Sequence, residues 1–296
     1  MNSPAPIALF AYNRPDHLQR CIEALQKNEL SPDSDLILFC DGPKNEEARK
    51  EAETVRQYAK SISGFKSIRI VERDENYGLS KNIIDGVTST VNTYGSVIVI
   101  EDDLVCSPHF LDFMNQGLNK FQGCNDVISI HGYCPPISID DPVFFLRGAD
   151  CWGWATWKRG WQLFNPDGKE LMKKLRDSGK LYDFDFEGSY DYSGMLQKQI
   201  EGKVNSWAIR WYASAYLQDK LTLYPSKSLV INIGSDGSGT HQQSESETRT
   251  DLYTEKIIIP DIPIQESPVA RKDLAKYFYS HLGIKGRLRK LLKWGY

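Results

Sequence analysis

Residues 95–110 read GSVIVIEDDLVCSPHF. The aliphatic run Val97 to Ile100 passes directly into three acids, Glu101, Asp102 and Asp103. Four apolar residues without alternation predict a strand buried on both faces. Three adjacent carboxylates at its end repel one another unless a cation or a set of donors lies against them. Two readings follow: a solvated turn after the strand, or a divalent-metal site.

Outward from this stretch, the first half of the chain alternates between two periods. PIALFAY predicts a buried strand and RPDHLQRCIEALQKN a helix with Leu18, Ile22 and Leu25 on one face. DLILFCDG and SIRIVERDEN predict two more strands, each followed by a helix, before SVIVIEDD supplies the fourth. A helix then follows across SPHFLDFMNQGLNKF, with Ser107 as N-cap and Pro108 at its first position. Apolar strands separated by helices predict an α/β fold with a mostly parallel sheet flanked by helices. Ligands of such sheets bind beyond the carboxyl ends of the strands. Those ends carry Tyr12-Asn13-Arg14, Asp41-Gly42, Asp74-Glu75-Asn76 and Glu101-Asp102-Asp103. One such end can be a solvated turn; four on one edge favour a site. Neither a glycine-rich dinucleotide fingerprint nor a P-loop is present.

Composition narrows the class. The chain has 296 residues, 41% hydrophobic and 25% charged, within the ordinary globular range. A net charge of −3 argues against a nucleic-acid binder with a basic surface. The N-terminal stretch lacks the basic region of a signal peptide, and no apolar run reaches the ~18 residues of a membrane span. The six cysteines form no CxxC pair, so free thiols in a reducing cytoplasm are expected.

The second half reads differently. DVISIHGYCPP predicts a strand, and WGWATWKRGW places four tryptophans, Trp152, Trp154, Trp157 and Trp161, in ten residues. Positions 154, 157 and 161 have helical spacing. An acidic, tyrosine-rich stretch, LYDFDFEGSYDYSGM, precedes a helix across NSWAIRWYASAYLQDK and a strand across LTLYPSKSLVINIG. From about residue 242 the chain is hydrophilic and poorly patterned.

In sequence order, AYNRPDHLQRCIEAL, FCDG, NYGLSKN, IEDDLVCSPHF, WGWATWKRGW and LVINIGSDGSGTH resemble the motifs of a GT-A-fold glycosyltransferase of the family-2 type. VIVIEDDLVCSPHFLDF is similar to the metal-binding strand of the N-acetylglucosaminyltransferase I group. The resemblance covers about residues 5–241. It implies a GT-A domain over 1–241, with a nucleotide-binding half (1–125) and an acceptor-binding half (126–241), then an extension over 242–296. It further implies a nucleotide-sugar donor, with Tyr12, Asn13 and Arg14 bordering the nucleotide and Arg14 near the phosphates. Asp41 would accept from the N3–H of a uracil, which points to a UDP-linked donor, and Lys81 would reach the diphosphate or the base. Asp103 would bind Mn²⁺ or Mg²⁺, Asp102 would hold the ribose or a metal-bound water, and Glu101 would orient its neighbours. Independently of the family, a nucleoside diphosphate leaves readily only when its charge is neutralised, and a hard divalent ion does this. If Asp102 and Asp103 lie in a strand they point to opposite faces, so one direct ligand fits better than two.

His241, after a Gly- and Ser-rich loop, is expected to complete the metal shell. His131 in SIHGY is read as packed rather than sugar-binding. Trp152 and Trp154 are expected to stack on sugar C–H faces, and Trp157 and Trp161 to lie in the core. An inverting transfer needs a carboxylate base. The resembling group places it just before a tryptophan, where this chain has Asn205 and Ser206 before Trp207. The base is therefore sought at Asp150 first and Asp191 second, with Asp185 and Glu187 nearby; a retaining mechanism or a shifted motif are the alternatives.

The last stretch, GIKGRLRKLLKWGY (283–296), carries five cations and no acid, with Leu288, Leu291 and Leu292 on one helical face. It reads either as a basic amphipathic segment for the inner face of the cytoplasmic membrane or as a docked terminal helix. The expectation is a metal-dependent, inverting transferase acting on a glycan or lipid-linked acceptor in bacterial surface polysaccharide or lipopolysaccharide synthesis. The rivals are a sugar-phosphate nucleotidylyltransferase and a non-catalytic glycan- or nucleotide-binding module.

Overall fold

The computed structural model describes residues 3–234 and 250–283. Its first half follows the alternation of the sequence. Strands β1 (Ile7–Ala11), β2 (Asp35–Cys40), β3 (Ser67–Glu72) and β4 (Ser96–Glu101) alternate with helices α1 (Pro15–Gln26), α2 (Arg49–Ser61) and α3 (Gly78–Tyr94). They pair in parallel in the order β3-β2-β1-β4. β1 is buried throughout. Its Ile7 and Leu9 face a core shared with α1, whereas Ala8 and Phe10 face a second core with α3. Successive strand residues alternate faces, so a strand covered on both sides must be apolar at every position.

The sheet continues through the second half. β5 (Leu104–Cys106) and α4 (Phe110–Lys120) precede β6 (Val127–His131), β7 (Val143–Arg147) and β8 (Trp154–Trp157). Then come short α5 (Lys158–Trp161), α6 (Gly168–Asp177), α7 (Leu181–Phe184), α8 (Tyr192–Ile200) and α9 (Trp207–Leu217). β9 (Leu221–Pro225), β10 (Val230–Asn232) and α10 (Pro268–His281) complete the described elements. The eight-stranded order is β3-β2-β1-β4-β8-β6-β9-β7, in which β8 and β7 run antiparallel to their neighbours. The α/β class with a mostly parallel, helix-flanked sheet is thus as read from the sequence.

Local boundaries differ in three places. The helix expected from Ser107 starts at Phe110; the Ser107 hydroxyl accepts the N–H of His109 (3.3 Å), the residue before the helix. The helical spacing of Trp154, Trp157 and Trp161 arises from strand β8 running into one turn of helix. The strand expected across 221–234 is split at Pro225 into β9 in the main sheet and β10, which pairs antiparallel with β5.

Residues 250–283 pack on this body. Ile257 and Ile259 lie in the core beside β1 and α4, and Gln116 of α4 bonds the backbone of both. Ala270 and Leu274 of α10 enter a third core with α6, α8 and α9. Among the described residues, no helix is long and apolar enough to cross a membrane.

Candidate active site

The chemistry gathers at the carboxyl edge of β1 and β4. β4 ends at Glu101, and Asp102 and Asp103 form the turn into β5. The alternation argument for these two acids therefore does not apply: out of the strand, both carboxylates face one guanidinium. Arg14, which follows β1, reaches Asp102 Oδ1 at 2.5 Å and Asp103 Oδ2 at 3.1 Å through its Nη2. Asp102 Oδ2 also accepts the Tyr12 N–H at 3.4 Å, and the Asp102 N–H donates to the Phe10 carbonyl at 3.0 Å. Burial pushes the Asp102 carboxyl up to about 6, against the pull of Arg14 and with a further push from Asp103. Burial, then Asp103 and Asp102, hold Glu101 well above the usual carboxylate range. Burial works against the charge of Arg14, but the two aspartates more than offset it.

β10 brings the chain back over this pair. Ile233 N–H donates to the Asp103 carbonyl at 2.8 Å, and Gly234 lies so close that a Cβ there would stand 2.6 Å from Asp103 Oδ2. Only glycine admits that approach.

A hard divalent ion fits the chemistry of these donors, since both are carboxylates. Arg14 takes one oxygen of Asp103, and among the described residues the other oxygen has no partner. The described residues contain no cluster of three or more metal-ligating side chains. An ion here would use Asp103 Oδ1 with substrate oxygens; His241 lies outside the described residues.

Asp41 corrects its expected role. The carboxylate is buried, with Oδ1 accepting the N–H groups of Gly42 (2.9 Å) and Tyr77 (2.8 Å). Oδ2 accepts the Gly78 N–H (2.9 Å) and Asn76 Nδ2 (3.2 Å). Four donors fill a carboxylate's acceptor sites, so none remains for a uracil. Asp41 instead ties the end of β2 to the start of α3. Lys81, in the first turn of α3, sits over the Tyr77 ring at 3.6 Å and 3.8 Å from Glu75, with its side chain exposed. Tyr12 receives the Lys44 N–H on its phenol oxygen at 2.9 Å, which braces the loop after β2; Asn13 lies half-buried between Tyr12 and Arg14.

The second half reaches the same edge through β8. Val99 of β4 stands opposite Trp154 in an antiparallel pair, so the residues leading into β8 run beside the acidic end of β4. Burial pushes the Cys151 thiol up, and Asp150, Glu101 and Asp103 add to it, which places Cys151 in the field of the triplet. Asp150 is half-exposed; its Oδ1 accepts the Cys151 N–H at 2.8 Å and its Oδ2 faces His131 Nε2 at 3.6 Å. Trp152 is half-buried with Tyr133 edge-on at 4.7 Å. Trp154 is a correction: its indole is 0% exposed, packed among Trp161, Trp207 and Trp211, and cannot offer a face to a sugar. Trp157 and Trp161 are buried, as expected.

The other acids have structural posts. Asp185 is buried and binds the N–H and hydroxyl of Ser193, both at 2.7 Å, at the start of α8. Glu187 pairs with Arg271 at 2.9 Å. Asp191 occupies the N-cap position of α8, its carboxylate so close to Gly194 that any Cβ there would collide with it. At the position where the resembling group has its acid, Ser206 caps α9 by accepting the Ile209 N–H at 3.3 Å, and Asn205 accepts from Arg210 at 3.5 Å. Tyr133 and Gly234 were not singled out in the sequence; HGY and NIG carry the only signals, a residue next to a strand end in each case.

Residues 7–122 match the family model of glycosyl transferase family 2. This bears out the family-level resemblance of the motifs over that segment. No curated protein matches the chain. Solved structures give partial likenesses. A Pyrobaculum calidifontis mannosyltransferase in complex with GDP-Man and Mn²⁺ is 13% identical, with 46% of this chain and 37% of that one covered and a TM-score of 0.35. The Mycobacterium tuberculosis glucosyl-3-phosphoglycerate synthase, with Mn²⁺, UDP and glucosyl-3-phosphoglycerate, is 13% identical over 55% and 58% of the two chains, with a TM-score of 0.36. TarS 1–349 of S. aureus with UDP-GlcNAc is 11% identical over 77% and 57%, with a TM-score of 0.41. The chain thus spans less than two thirds of each of these structures.

Proposed function

We propose that this chain transfers a sugar from a nucleotide-sugar donor to a glycan or lipid-linked acceptor, with inversion at the anomeric carbon. One observation carries the reading: residues far apart in sequence, Arg14, Asp102–Asp103 and Asp150–Trp152, meet at one carboxyl edge of a sheet whose first half matches a sugar-transferring family. Arg14 is placed to move from its carboxylates to a diphosphate as the donor enters. A divalent ion, Mn²⁺ or Mg²⁺, held by Asp103 would neutralise the departing diphosphate. Asp102, which keeps the Tyr12 N–H, orients the nucleotide. Trp152 and Tyr133 offer apolar ring surface to a sugar.

Asp150 is the base. Its Oδ2 takes the proton of the acceptor hydroxyl; that oxygen bonds to the anomeric carbon as the carbon–phosphate oxygen bond breaks, and the electron pair leaves with the nucleoside diphosphate. A UDP-linked donor and a place in bacterial surface polysaccharide or lipopolysaccharide synthesis rest on the resemblance, because Asp41 has no acceptor left for a base. The basic amphipathic tail, residues 283–296, is the proposed peripheral membrane contact; all but Gly283 lie outside the described residues.

The test is incubation with UDP-sugars and, separately, with a nucleoside triphosphate and a sugar 1-phosphate. Release of UDP from the first supports the transferase. Release of pyrophosphate from the second would identify a nucleotidylyltransferase, and binding without turnover in either a non-catalytic module.

A further inference from the structure

His131 ends β6 and is 0% exposed. Neither ring nitrogen has a hydrogen-bond partner among the described residues. A buried polar group left unsatisfied costs about 1–3 kcal/mol, and an apolar ring would fill the place at no such cost. The ring packs edge-on to Tyr224 at 4.9 Å, and the acceptor that faces it is Asp150 Oδ2, 3.6 Å from Nε2. The backbone holds the two together. His131 stands opposite Trp154 across the β6–β8 pair, and the Gly132 N–H donates to the Gly153 carbonyl at 2.7 Å. With Oδ1 of Asp150 held by the Cys151 N–H, the second oxygen is the one His131 addresses.

We propose that His131 is the positioning residue of Asp150: a neutral imidazole whose Nε2–H steers Oδ2 toward the acceptor hydroxyl. The inference rests on Asp150 being the base. The 3.6 Å gap is longer than a hydrogen bond, and a small rotation of the half-exposed carboxylate closes it when an acceptor binds. Burial lowers the tendency of His131 to protonate, against the pull of Asp150, so the ring is suited to donate a hydrogen bond rather than to carry the proton. Among the described residues, the other titratable groups facing Asp150 are Tyr133, Tyr192, Tyr224 and Cys151. Burial raises all four, which keeps them uncharged where a carboxylate titrates. His131 is then the group able to set the orientation and basicity of Asp150.

The experiment compares His131→Phe and His131→Gln with the native chain, using hydrolysis of UDP-glucose, UDP-galactose and UDP-N-acetylglucosamine as probes. It follows kcat, donor binding and the pH profile of kcat/KM. His131→Phe should lower kcat about tenfold or more, the worth of a hydrogen bond to a charged group, while donor binding is unchanged. Its acidic limb should move to higher pH, because a carboxylate without its donor is less stabilised when ionised. His131→Gln, with an N–H near the Nε2 position, should recover most of both. Native kcat with an unmoved limb in His131→Phe, or His131→Gln as impaired as His131→Phe, would overturn the proposal. Should the Phe variant fail to fold, His131→Asn, whose N–H lies at the Nδ1 position, takes its place with the same expectations. Native turnover in Asp150→Asn removes the base assignment and this inference with it; an inactive Asp150→Asn beside a native His131→Phe removes this inference alone.

Discussion

Two clusters of acids meet their arginines in different ways. At the edge of β4, Asp102 and Asp103 share one cation among the described residues, Arg14, and Glu101 beside them is held toward its neutral form by burial. On the far side of the second half, Asp183, Glu187 and Glu266 meet two arginines. Arg271 pairs with Asp183 (2.7 Å), Glu187 (2.9 Å) and Glu266 (3.2 Å). Arg147 reaches Asp183 (3.3 Å) and Glu266 (3.5 Å). The second cluster is satisfied from within: it pins α10 to the loop after α7, and Phe186 and Glu187 adopt left-handed backbone there, at φ 48° and 51°. The first rests on one guanidinium nitrogen at a sheet edge and, among the described residues, leaves one oxygen of Asp103 open. A multiply bridged network holds a fold, whereas one with an open carboxylate oxygen is suited to a cation.

The largest effect should come from removing the proposed base. Asp150→Asn is expected to keep donor binding and to lose about 10²–10⁴-fold in turnover, the range for a general base. Steady-state hydrolysis of a UDP-sugar, with donor binding measured calorimetrically, checks it; near-native turnover would move the role to Asp191 or to a retaining mechanism. The multiply bridged cluster should respond in the opposite way. Arg271→Met should cost about 2 kcal/mol of stability, less than a fully buried pair because the acids are partly exposed. Chemical denaturation would show this, and KM should be unchanged.

These contrasts also mark what the sequence could tell. β1 to β4 were legible because strands buried on both faces are apolar at every position. Trp154, Trp157 and Trp161 have helical spacing without lying on one helix, because a doubly buried strand, which has no alternation, runs straight into one helical turn. An acid at a strand end was legible as polar, yet its partners were not. Asp41 spends its acceptors on the backbone before α3, while Asp103 keeps one oxygen open among the described residues. The proximity of His131 to Asp150 arises only from the pairing of β6 with β8.

A smaller effect is expected for Asp103→Asn. Relieving like-charge repulsion should leave thermal stability unchanged or raise it by about 0.5 kcal/mol, the scale of like-charge pairs near a surface. A clear loss of stability would mean that Asp103, like Asp183, is a structural partner. Smallest of all, deletion of residues 284–296 should leave hydrolysis of a soluble UDP-sugar unaltered and abolish co-sedimentation with anionic liposomes. Unfolding of the truncated chain would identify the tail as a docked helix.

The Arg14–Asp102–Asp103 cluster as donor site is tested most directly by calorimetric titration of UDP into the native chain and Asp103→Asn, each with and without Mn²⁺. The native chain should bind UDP and bind it more tightly with Mn²⁺, and Asp103→Asn should lose the increment due to the metal while remaining folded. Equal Mn²⁺ enhancement in both proteins, or no UDP binding by the native chain, would contradict it.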